Sequence, residues 1–266
     1  MTISLKNLNL KFTGKGKTHS LFNDLSLDIN KGDFVCILGP SGCGKSSLLN
    51  IIAGFERGYT GEALFNNELI TKPDIKRAVV FQDYALFPWL NVIENVSFGL
   101  KSKIKNKGDR LLHAVRYLEL VDLVNFAKSK ISELSGGMQQ RVAIARALAV
   151  QPEILLLDEP LGALDEISRK NLQDELIRIW NELKQTILFI THSVDEALLL
   201  ANRIVVLNSN SKKVLDEKFD IPYPRNLSGD ECKKSRSIIK DALSFTKTEA
   251  ESINSSEGVA AFDPGI

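Results

Sequence analysis

The chain has 266 residues, of which 44% are hydrophobic and 25% are charged, with 34 Lys and Arg against 33 Asp and Glu. This composition excludes disorder over most of the chain and fits one large domain or two small ones. The near balance of charges gives no bulk signal for nucleic acid, and we expect no nucleic-acid partner.

The sequence carries no sign of a membrane span or of secretion. Every apolar run is shorter than the ~20 residues that cross a bilayer, and the start, MTISLKNLNLKF, lacks the basic and apolar regions of a signal peptide. Cys36, Cys43 and Cys232 form no closed disulfide set and have no metal-ligand spacing. We therefore expect a soluble, cytoplasmic protein, whose role at a membrane would require a partner.

Short apolar strands recur along the chain. The segments from Ile3 to Leu10 and from Leu21 to Ile29 alternate apolar and polar residues, as half-buried strands do. Phe34 to Leu38 is a continuous apolar run, which is typical of a strand buried on both faces of a parallel sheet. Further apolar strands are predicted at Val79 to Phe81, Ile154 to Leu157, Ile187 to Ile190 and Ile204 to Leu207.

Helical patterns separate these strands, notably from Gly44 to Ala53, from Gly136 to Val150 and from Ile167 to Lys184. The alternation predicts an α/β fold with a mainly parallel sheet. The stretch from about Tyr84 to Leu134 has no comparable apolar strand and is interpreted as a helical insertion in that core.

The composition changes after Leu207. Segment 208–266 is polar, with Pro222 and Pro224 blocking regular structure and one short amphipathic helix predicted from Ile238 to Phe245. We otherwise expect this extension to be loosely packed or partly disordered.

The segment from Gly39 to Ser46 reads GPSGCGKS, which matches the phosphate-loop pattern G-x-x-x-x-G-K-[ST]. Glycines let backbone N–H groups surround a phosphate, Lys45 supplies a cation, and Ser46 offers a hydroxyl to Mg²⁺. The loop follows a buried strand and begins a helix, which is the context that confirms the motif. The predicted nucleotide-binding residues are Gly39, Pro40, Ser41, Gly42, Cys43, Gly44, Lys45, Ser46 and Ser47.

Two carboxylates end the strand in ILLLDEP, from Ile154 to Pro160. Asp158 lies where α/β sheets bind ligands and is a candidate Mg²⁺ ligand, directly or through water. Glu159 is suited to act as the base that activates the attacking water.

A second glycine-rich loop, LSGGMQQR, begins at Leu134 and leads into a helix. Ser135, Gly136 and Gly137 are placed either to bind an anion or simply to cap that helix. One active site does not need two phosphate-binding loops this far apart in sequence. A head-to-tail dimer, in which each chain's second loop covers the other's nucleotide, gives both loops a use.

These motifs occur in one order: the phosphate loop, Gln82 after a strand, LSGGM, ILLLDEP, LGALD, and His192 after ILFIT. The sequence thereby resembles the nucleotide-binding subunit of an ATP-binding cassette (ABC) transporter. The resemblance implies an ABC ATPase domain at 1–207, with a helical subdomain at about 84–134, and a C-terminal extension at 208–266. The implied fold is α/β, a phosphate-loop NTPase core with a mainly parallel sheet, an N-terminal antiparallel β portion and a helical subdomain.

The resemblance also implies roles for single residues, with ATP and Mg²⁺ as cofactors. Gln82 would contact Mg²⁺ and the attacking water, and His192 would contact the γ-phosphate. Asp165 would lie at the dimer interface, and Phe12 would stack on adenine.

The signature loop departs from the family pattern, because Met138 stands where the family usually has Gln. A thioether does not replace the hydrogen bonds of an amide. The Met version is similar to importers of the nitrate, sulfonate and taurine group. FQDYALFPWLNVIENVSFGL from Phe81 to Leu100 and YPR from Tyr223 to Arg225 share this similarity.

The resulting expectation is the ATP-hydrolysing subunit of an importer for a small, nitrate-, sulfonate- or taurine-like solute. Its partners would be a second copy, transmembrane permease subunits and, indirectly, an extracytoplasmic solute-binding protein, so that it would lie peripherally on the cytoplasmic face of the membrane. The alternative is a non-transport ABC ATPase that serves as an assembly platform in cluster assembly, cell division or repair.

Overall fold

The computed structural model describes residues 2–14, 17–208, 213–219 and 221–256, without the side chains of 12–14, 17–19 and 245–256. The strands are β1 Ile3–Gly14, β2 Lys17–Ile29, β3 Phe34–Leu38, β4 Tyr59–Phe65, β5 Glu68–Leu69, β6 Arg77–Val80, β7 Ile154–Asp158, β8 Thr186–Ile190, β9 Arg203–Leu207 and β10 Lys213–Lys218. The helices are α1 Lys45–Ala53, α2 Val92–Phe98, α3 Lys107–Leu120, α4 Gly136–Ala149, α5 Glu166–Leu183, α6 Val194–Leu200 and α7 Asp230–Ser256.

Six strands form the larger sheet in the order β10-β9-β3-β8-β7-β6. The pairs β6–β7, β7–β8, β8–β3 and β3–β9 are parallel, and β10 joins β9 antiparallel at one edge. Because β3, β8, β7 and β6 are adjacent and parallel, the residues that follow each of them meet at one edge of the sheet.

A smaller antiparallel sheet, in the order β2-β1-β4-β5, contains the N-terminal strands. The sequence did not predict β4, because only two of its seven residues are buried and its partner β1 lies more than 40 residues earlier in the chain. The backbone at Gly61 has φ +96°, and a Cβ there would lie 2.3 Å from the carbonyl oxygen of Asn7. A glycine is therefore required where β4 pairs with the irregular part of β1 between Lys6 and Asn9.

The fully buried strand β3 separates two hydrophobic clusters. Val35 and Ile37 face the cluster that α1 shares with the antiparallel sheet. Phe34, Cys36 and Leu38 face the opposite cluster, which contains α5 and α6. Burial on both faces explains why the strand reads as an unbroken apolar run.

The helical subdomain consists of α2, α3, three short 3₁₀ turns and one face of α4. Its core contains Val92 and Val96 of α2, Leu118 of α3, and Val142 and Ala145 of α4. The opposite face of α4, with Ala143 and Ile144, packs on the α/β core, so α4 belongs to both units.

The chain beyond Leu207 continues the fold, since β10 extends the larger sheet and α7 packs against α6. The helix predicted from Ile238 to Phe245 is part of α7, which begins earlier, at Asp230, and is 27 residues long. The division of the chain at Leu207 stays a prediction, and residues 257–266 lie outside the described part.

None of the helices described is both long and apolar enough to cross a membrane.

Candidate nucleotide site

The predicted phosphate loop connects β3 to α1 and is shaped by two glycines. Gly44 caps α1 with φ 95°, and a Cβ there would lie 2.8 Å from a carbon of Leu21. A Cβ on Gly39 would lie 2.7 Å from Sγ of Cys43. Side chains at either position would push the loop out of shape, so both glycines are set by the backbone path.

Lys45 is buried, with 6% of its surface exposed. Its ammonium donates hydrogen bonds to the carbonyl oxygens of Gly39 and Pro40, both at 3.0 Å. The cation therefore folds back over the loop. Carbonyl partners of this kind are replaced readily by the stronger, charged acceptors of a phosphate group.

The other predicted loop residues lie around this cation. Ser41, Gly42 and Ser46 are exposed, whereas Ser47 is half-buried at the start of α1. Burial raises the pKa of the Cys43 thiol, which keeps the group neutral and poorly nucleophilic.

Ser46 and Asp158 are brought together from the ends of α1 and β7. The Ser46 hydroxyl donates a hydrogen bond of 3.2 Å to Oδ1 of Asp158. Burial raises the pKa of Asp158, opposed by the Ser46 hydrogen bond and by Lys45 and reinforced by the neighbouring carboxylate of Glu159. A hydroxyl and a carboxylate in contact are two hard oxygen donors of the kind that Mg²⁺ prefers.

Glu159 has a strained backbone, with φ 44°, fixed by a hydrogen bond from its N–H to the carbonyl of Ile190 at 3.1 Å. Oε2 of its carboxylate lies 3.3 Å from Nδ1 of His192. Ile190 ends β8 and His192 follows it, so the adjacent strands β7 and β8 bring these two side chains together. Strain of this kind persists where the surrounding structure holds a residue for a specific task.

Gln82 is exposed and follows β6, the strand next to β7. Its Nε2 lies 4.0 Å from the position of a Cβ built on Gly162, so the side chain borders the loop that follows Glu159. The structure thus places five predicted residues at the carboxyl ends of four adjacent strands: Lys45, Ser46, Asp158, His192 and Gln82.

The second glycine-rich loop lies at the start of α4, next to Tyr84 and α5. Ser135 caps α4 by accepting a hydrogen bond of 3.3 Å from the N–H of Met138. A Cβ on Gly136 would lie 3.4 Å from the Tyr84 hydroxyl, and one on Gly137 would lie 3.2 Å from Ser168 of α5. The loop therefore adjoins the start of α5.

The residues that follow the signature glycines turn inward. Met138 is half-buried and packs on the core of the helical subdomain. The amide of Gln139 donates to the carbonyls of Ile131 and Leu134 at 3.2 and 3.1 Å, and Gln140 is fully buried. Neither glutamine is placed to replace the amide that the family has at position 138.

Asp165 caps α5 by accepting a hydrogen bond of 3.0 Å from the N–H of Ser168. Hydrogen bonds from Ser168 lower the pKa of this exposed carboxylate. The predicted adenine contact Phe12 lies within β1, but its side chain is outside the described part of the structure.

Two side chains near this edge were not predicted from the sequence. Arg169 of α5 contacts the segment around Leu161, and Glu196 of α6 contacts Thr191. An Arg four residues after a capping Asp gives no signal by itself, because its partners are distant in sequence.

A protein-family model described as ABC transporter matches residues 22–162, which is more than half of the chain. The chain belongs to the ABC transporter family. The cassette is also 44% identical over 248 residues to an aliphatic sulfonates import ATP-binding protein of Bacillus cereus, covering 92% of this chain and 97% of the relative.

Two further relatives are named for other solutes. The taurine import ATP-binding protein of Roseobacter denitrificans is 44% identical over 222 residues, covering 83% of the cassette and 82% of the relative. The bicarbonate transport ATP-binding protein of Synechocystis sp. is 42% identical over 226 residues, covering 84% and 80%.

The fold of the cassette is similar to that of a solved dimer, the post-hydrolysis state of the ATP-binding cassette MJ0796 bound to ADP and Pi. The TM-score is 0.74 at 33% identity, covering 83% of this chain and all of that one. These findings confirm the predicted family, the α/β fold with its antiparallel N-terminal sheet, and the assignment as an ATP-binding ATPase.

Proposed function

We propose that the chain is the ATP-hydrolysing subunit of an importer for a small solute that carries an anionic group, of the sulfonate, taurine, nitrate or bicarbonate kind. The observation that carries the enzymatic part is the contact of Ser46 with Asp158 beside Lys45, Glu159 and His192 at one sheet edge. The solute class is supported by the names of the relatives, which include importers of sulfonates and taurine and a transporter of bicarbonate.

Mg²⁺ fits the donors at this edge, with Ser46, Asp158 and Gln82 as the residues that would hold it. In the part of the chain that the structure describes, no group of three or more His, Cys, Asp or Glu side chains forms a metal cage. That agrees with Mg²⁺, which is held by one or two protein groups together with substrate phosphates. When bound, it would neutralise charge on the β- and γ-phosphates.

The chain's own residues perform the remaining steps. Lys45 exchanges its two loop carbonyls for phosphate oxygens, and the N–H groups at the start of α1 bind the same anion. Glu159 accepts the proton of the attacking water, and His192, held 3.3 Å from it, reaches the γ-phosphate. The strained backbone of Glu159 keeps its carboxylate at that position.

A second copy completes each site. Its Ser135, Gly136 and Gly137 would bind the γ-phosphate through the N-terminus of α4, and its Asp165 would lie at the interface. ATP favours the closed pair because both copies hold the γ-phosphate, and hydrolysis removes that link. On each copy, Phe12 would stack on adenine.

The segment from Tyr84 to Trp89 would face the permease subunits. Trp89 is 75% exposed and its ring lies 5.5 Å from that of Phe87. Arg146 of α4 donates to the carbonyls of Tyr84 and Ala85 at 3.0 and 2.6 Å. The segment is thereby bonded to α4, the helix that Ser135 caps, which gives a path from permease to nucleotide.

An extracytoplasmic solute-binding protein would deliver the solute to those permease subunits, while this chain remains peripheral on the cytoplasmic face. The competing function, a non-transport assembly ATPase, would use the same nucleotide site. The surface around Trp89 and the import names of the relatives favour transport.

The experiment that separates the two functions is reconstitution of the chain with the membrane proteins that co-purify with it. We expect ATP-dependent uptake of labelled taurine, an alkanesulfonate, nitrate or bicarbonate into vesicles when the solute-binding protein is supplied. Glu159→Gln is the matched control and should abolish uptake while the complex stays assembled. Recovery of scaffold or repair proteins in place of a permease would contradict the transport assignment.

A further inference from the structure

The loop that follows Glu159, residues 161–165, is held by one side chain of α5. Arg169 donates to the carbonyl of Leu164 at 2.9 Å through Nη2 and to the carbonyl of Leu161 at 3.4 Å through Nε. Its planar guanidinium thus spans the loop and hydrogen-bonds to carbonyls near both ends. Asp165, the last residue of this loop, is the one that would face the second copy.

The same arginine reaches the helix that follows His192. Nε of Arg169 lies 3.9 Å from Oε1 of Glu196 in α6. The other carboxylate oxygen of Glu196 accepts a hydrogen bond from the Thr191 hydroxyl, and that hydroxyl accepts one from the N–H of Ser193 at 3.0 Å. Glu196 therefore holds Thr191 directly and Ser193 through the Thr191 hydroxyl, one on either side of His192.

The side chains of this connection are partly or largely buried. The Glu196 side chain is 12% exposed and that of Arg169 is 39% exposed. A carboxylate this deeply buried requires partners, and Thr191 and Arg169 are the ones it contacts. Burial raises the pKa of Glu196, opposed by the Thr191 hydrogen bond and by Arg169 and His192.

We propose that Arg169 and Glu196 are positioning residues that lock the partner-facing loop 161–165 to the backbone on either side of His192. When a second copy binds loop 161–165, the resulting change in the loop's position would then reach His192, beside Glu159, within the same chain. The inference rests on the proposed function and adds to it a route between the dimer interface and the γ-phosphate contact.

Asp195 provides a matched control within the same helical turn. It is also an acidic residue in the first turn of α6, but its carboxylate binds Arg236 of α7 at 2.7 Å, whereas that of Glu196 lies beside Arg169. A general effect of negative charge at the start of α6 would be shared by both residues. A positioning effect belongs to Glu196 alone.

The test is steady-state ATP hydrolysis by the full-length chain, with thermal unfolding of each variant as the folding check. Glu196→Gln and Arg169→Met should each lower kcat by roughly tenfold to a hundredfold, with KM for ATP changed by less than about twofold because neither residue touches the nucleotide. The double variant should be no slower than the slower single one, since both act through one contact.

Two further variants sharpen the result. Arg169→Lys keeps the charge opposite Glu196 but loses the two-carbonyl grip, so it should restore kcat only in part. Asp195→Asn should keep the kcat of the unmodified chain.

Equal losses in Glu196→Gln and Asp195→Asn would overturn the inference, as would unchanged kcat in Glu196→Gln and Arg169→Lys. Additive losses in the double variant would also contradict a shared route. If the unmodified chain hydrolyses no ATP while Asp195→Asn and Glu196→Gln fold normally, the proposed function fails and this inference fails with it.

Discussion

The Ser46 hydroxyl lies 3.2 Å from Oδ1 of Asp158 and donates a hydrogen bond to it, although the two residues are 112 positions apart. The contact joins the start of α1 to the end of β7 and places both oxygen donors beside Lys45. The proposed Mg²⁺ position depends on this contact.

Asp158→Asn removes the charge of the carboxylate that would hold Mg²⁺. We expect kcat for ATP hydrolysis to fall on the order of 100-fold, while ATP binding without Mg²⁺ is retained because Lys45 and the N–H groups at the start of α1, rather than Asp158, bind the phosphates. Hydrolysis rates and calorimetric ATP affinity with and without Mg²⁺ check this. Asp174→Asn, an exposed change on α5, should leave both values unchanged; retention of Mg²⁺-dependent affinity in Asp158→Asn would remove Asp158 from the metal site.

Glu175 makes stability depend on pH. Burial raises its pKa from the ordinary 4.5 to about 7, opposed by Arg141 and Arg178 and aided by Asp122, and its Oε2 lies 3.3 Å from Nε of Arg141. Because the folded chain holds the proton more tightly than the unfolded chain, this stabilisation is complete below pH ~4.5 and is lost as pH rises through about 7.

The check is denaturant unfolding of the chain and of Glu175→Gln between pH 5 and 8. The unfolding free energy of the unmodified chain should fall with pH relative to that of the variant by roughly 1–3 kcal/mol. Parallel pH profiles for the two proteins would show that Glu175 is ionised throughout.

Arg225 of the YPR segment is expected to support the fold rather than contact a partner. Its buried guanidinium donates to the carbonyls of Leu198 and Ala201 at the end of α6 and to that of Phe219. Arg225→Met should lower the unfolding free energy by about 3 kcal/mol, because buried carbonyls lose their donor. Arg116→Met, an exposed change on α3, should cost less than about 0.5 kcal/mol; similar small losses for both would contradict the structural role of Arg225.

Trp89→Ala is expected to weaken association with the membrane subunits by roughly tenfold without changing hydrolysis by the isolated chain. The side chain is 75% exposed and lies outside the nucleotide contacts. Affinity capture of the membrane subunits, quantified against Leu112→Ala at an equally exposed position (74%) of α3, measures the difference. Equal capture by the two variants would place the permease elsewhere.

Much of the site was predictable because its elements are local. The phosphate loop reads directly as strand, loop and helix, and Asp158 ends a strand whose other residues are all apolar. The side chains at His192 and Gln82 carry no such local signal, and only their order along the chain and the family resemblance indicated them. Their positions near the end of β7 depend on β8 and β6 lying on either side of that strand. Short segments of sequence do not encode this strand order.

The parts that escaped prediction depend on distant partners. Arg169 and Glu196 are 27 positions apart and meet only after α5 and α6 pack. The prolines after Leu207 suggested irregular chain, but the structure continues into β10 and α7. β10 pairs with β9 at the edge of the sheet, and Tyr223 and Arg225 hydrogen-bond the intervening loop to the end of α6.

The central claim is that ATP is held between two copies of this chain, and the most direct measurement is the solution mass of Glu159→Gln by light scattering. With Mg²⁺ and ATP we predict a stable dimer, which ADP does not support and which the added change Ser135→Arg prevents while ATP still binds. A mass that remains that of one copy at saturating ATP would contradict the shared site.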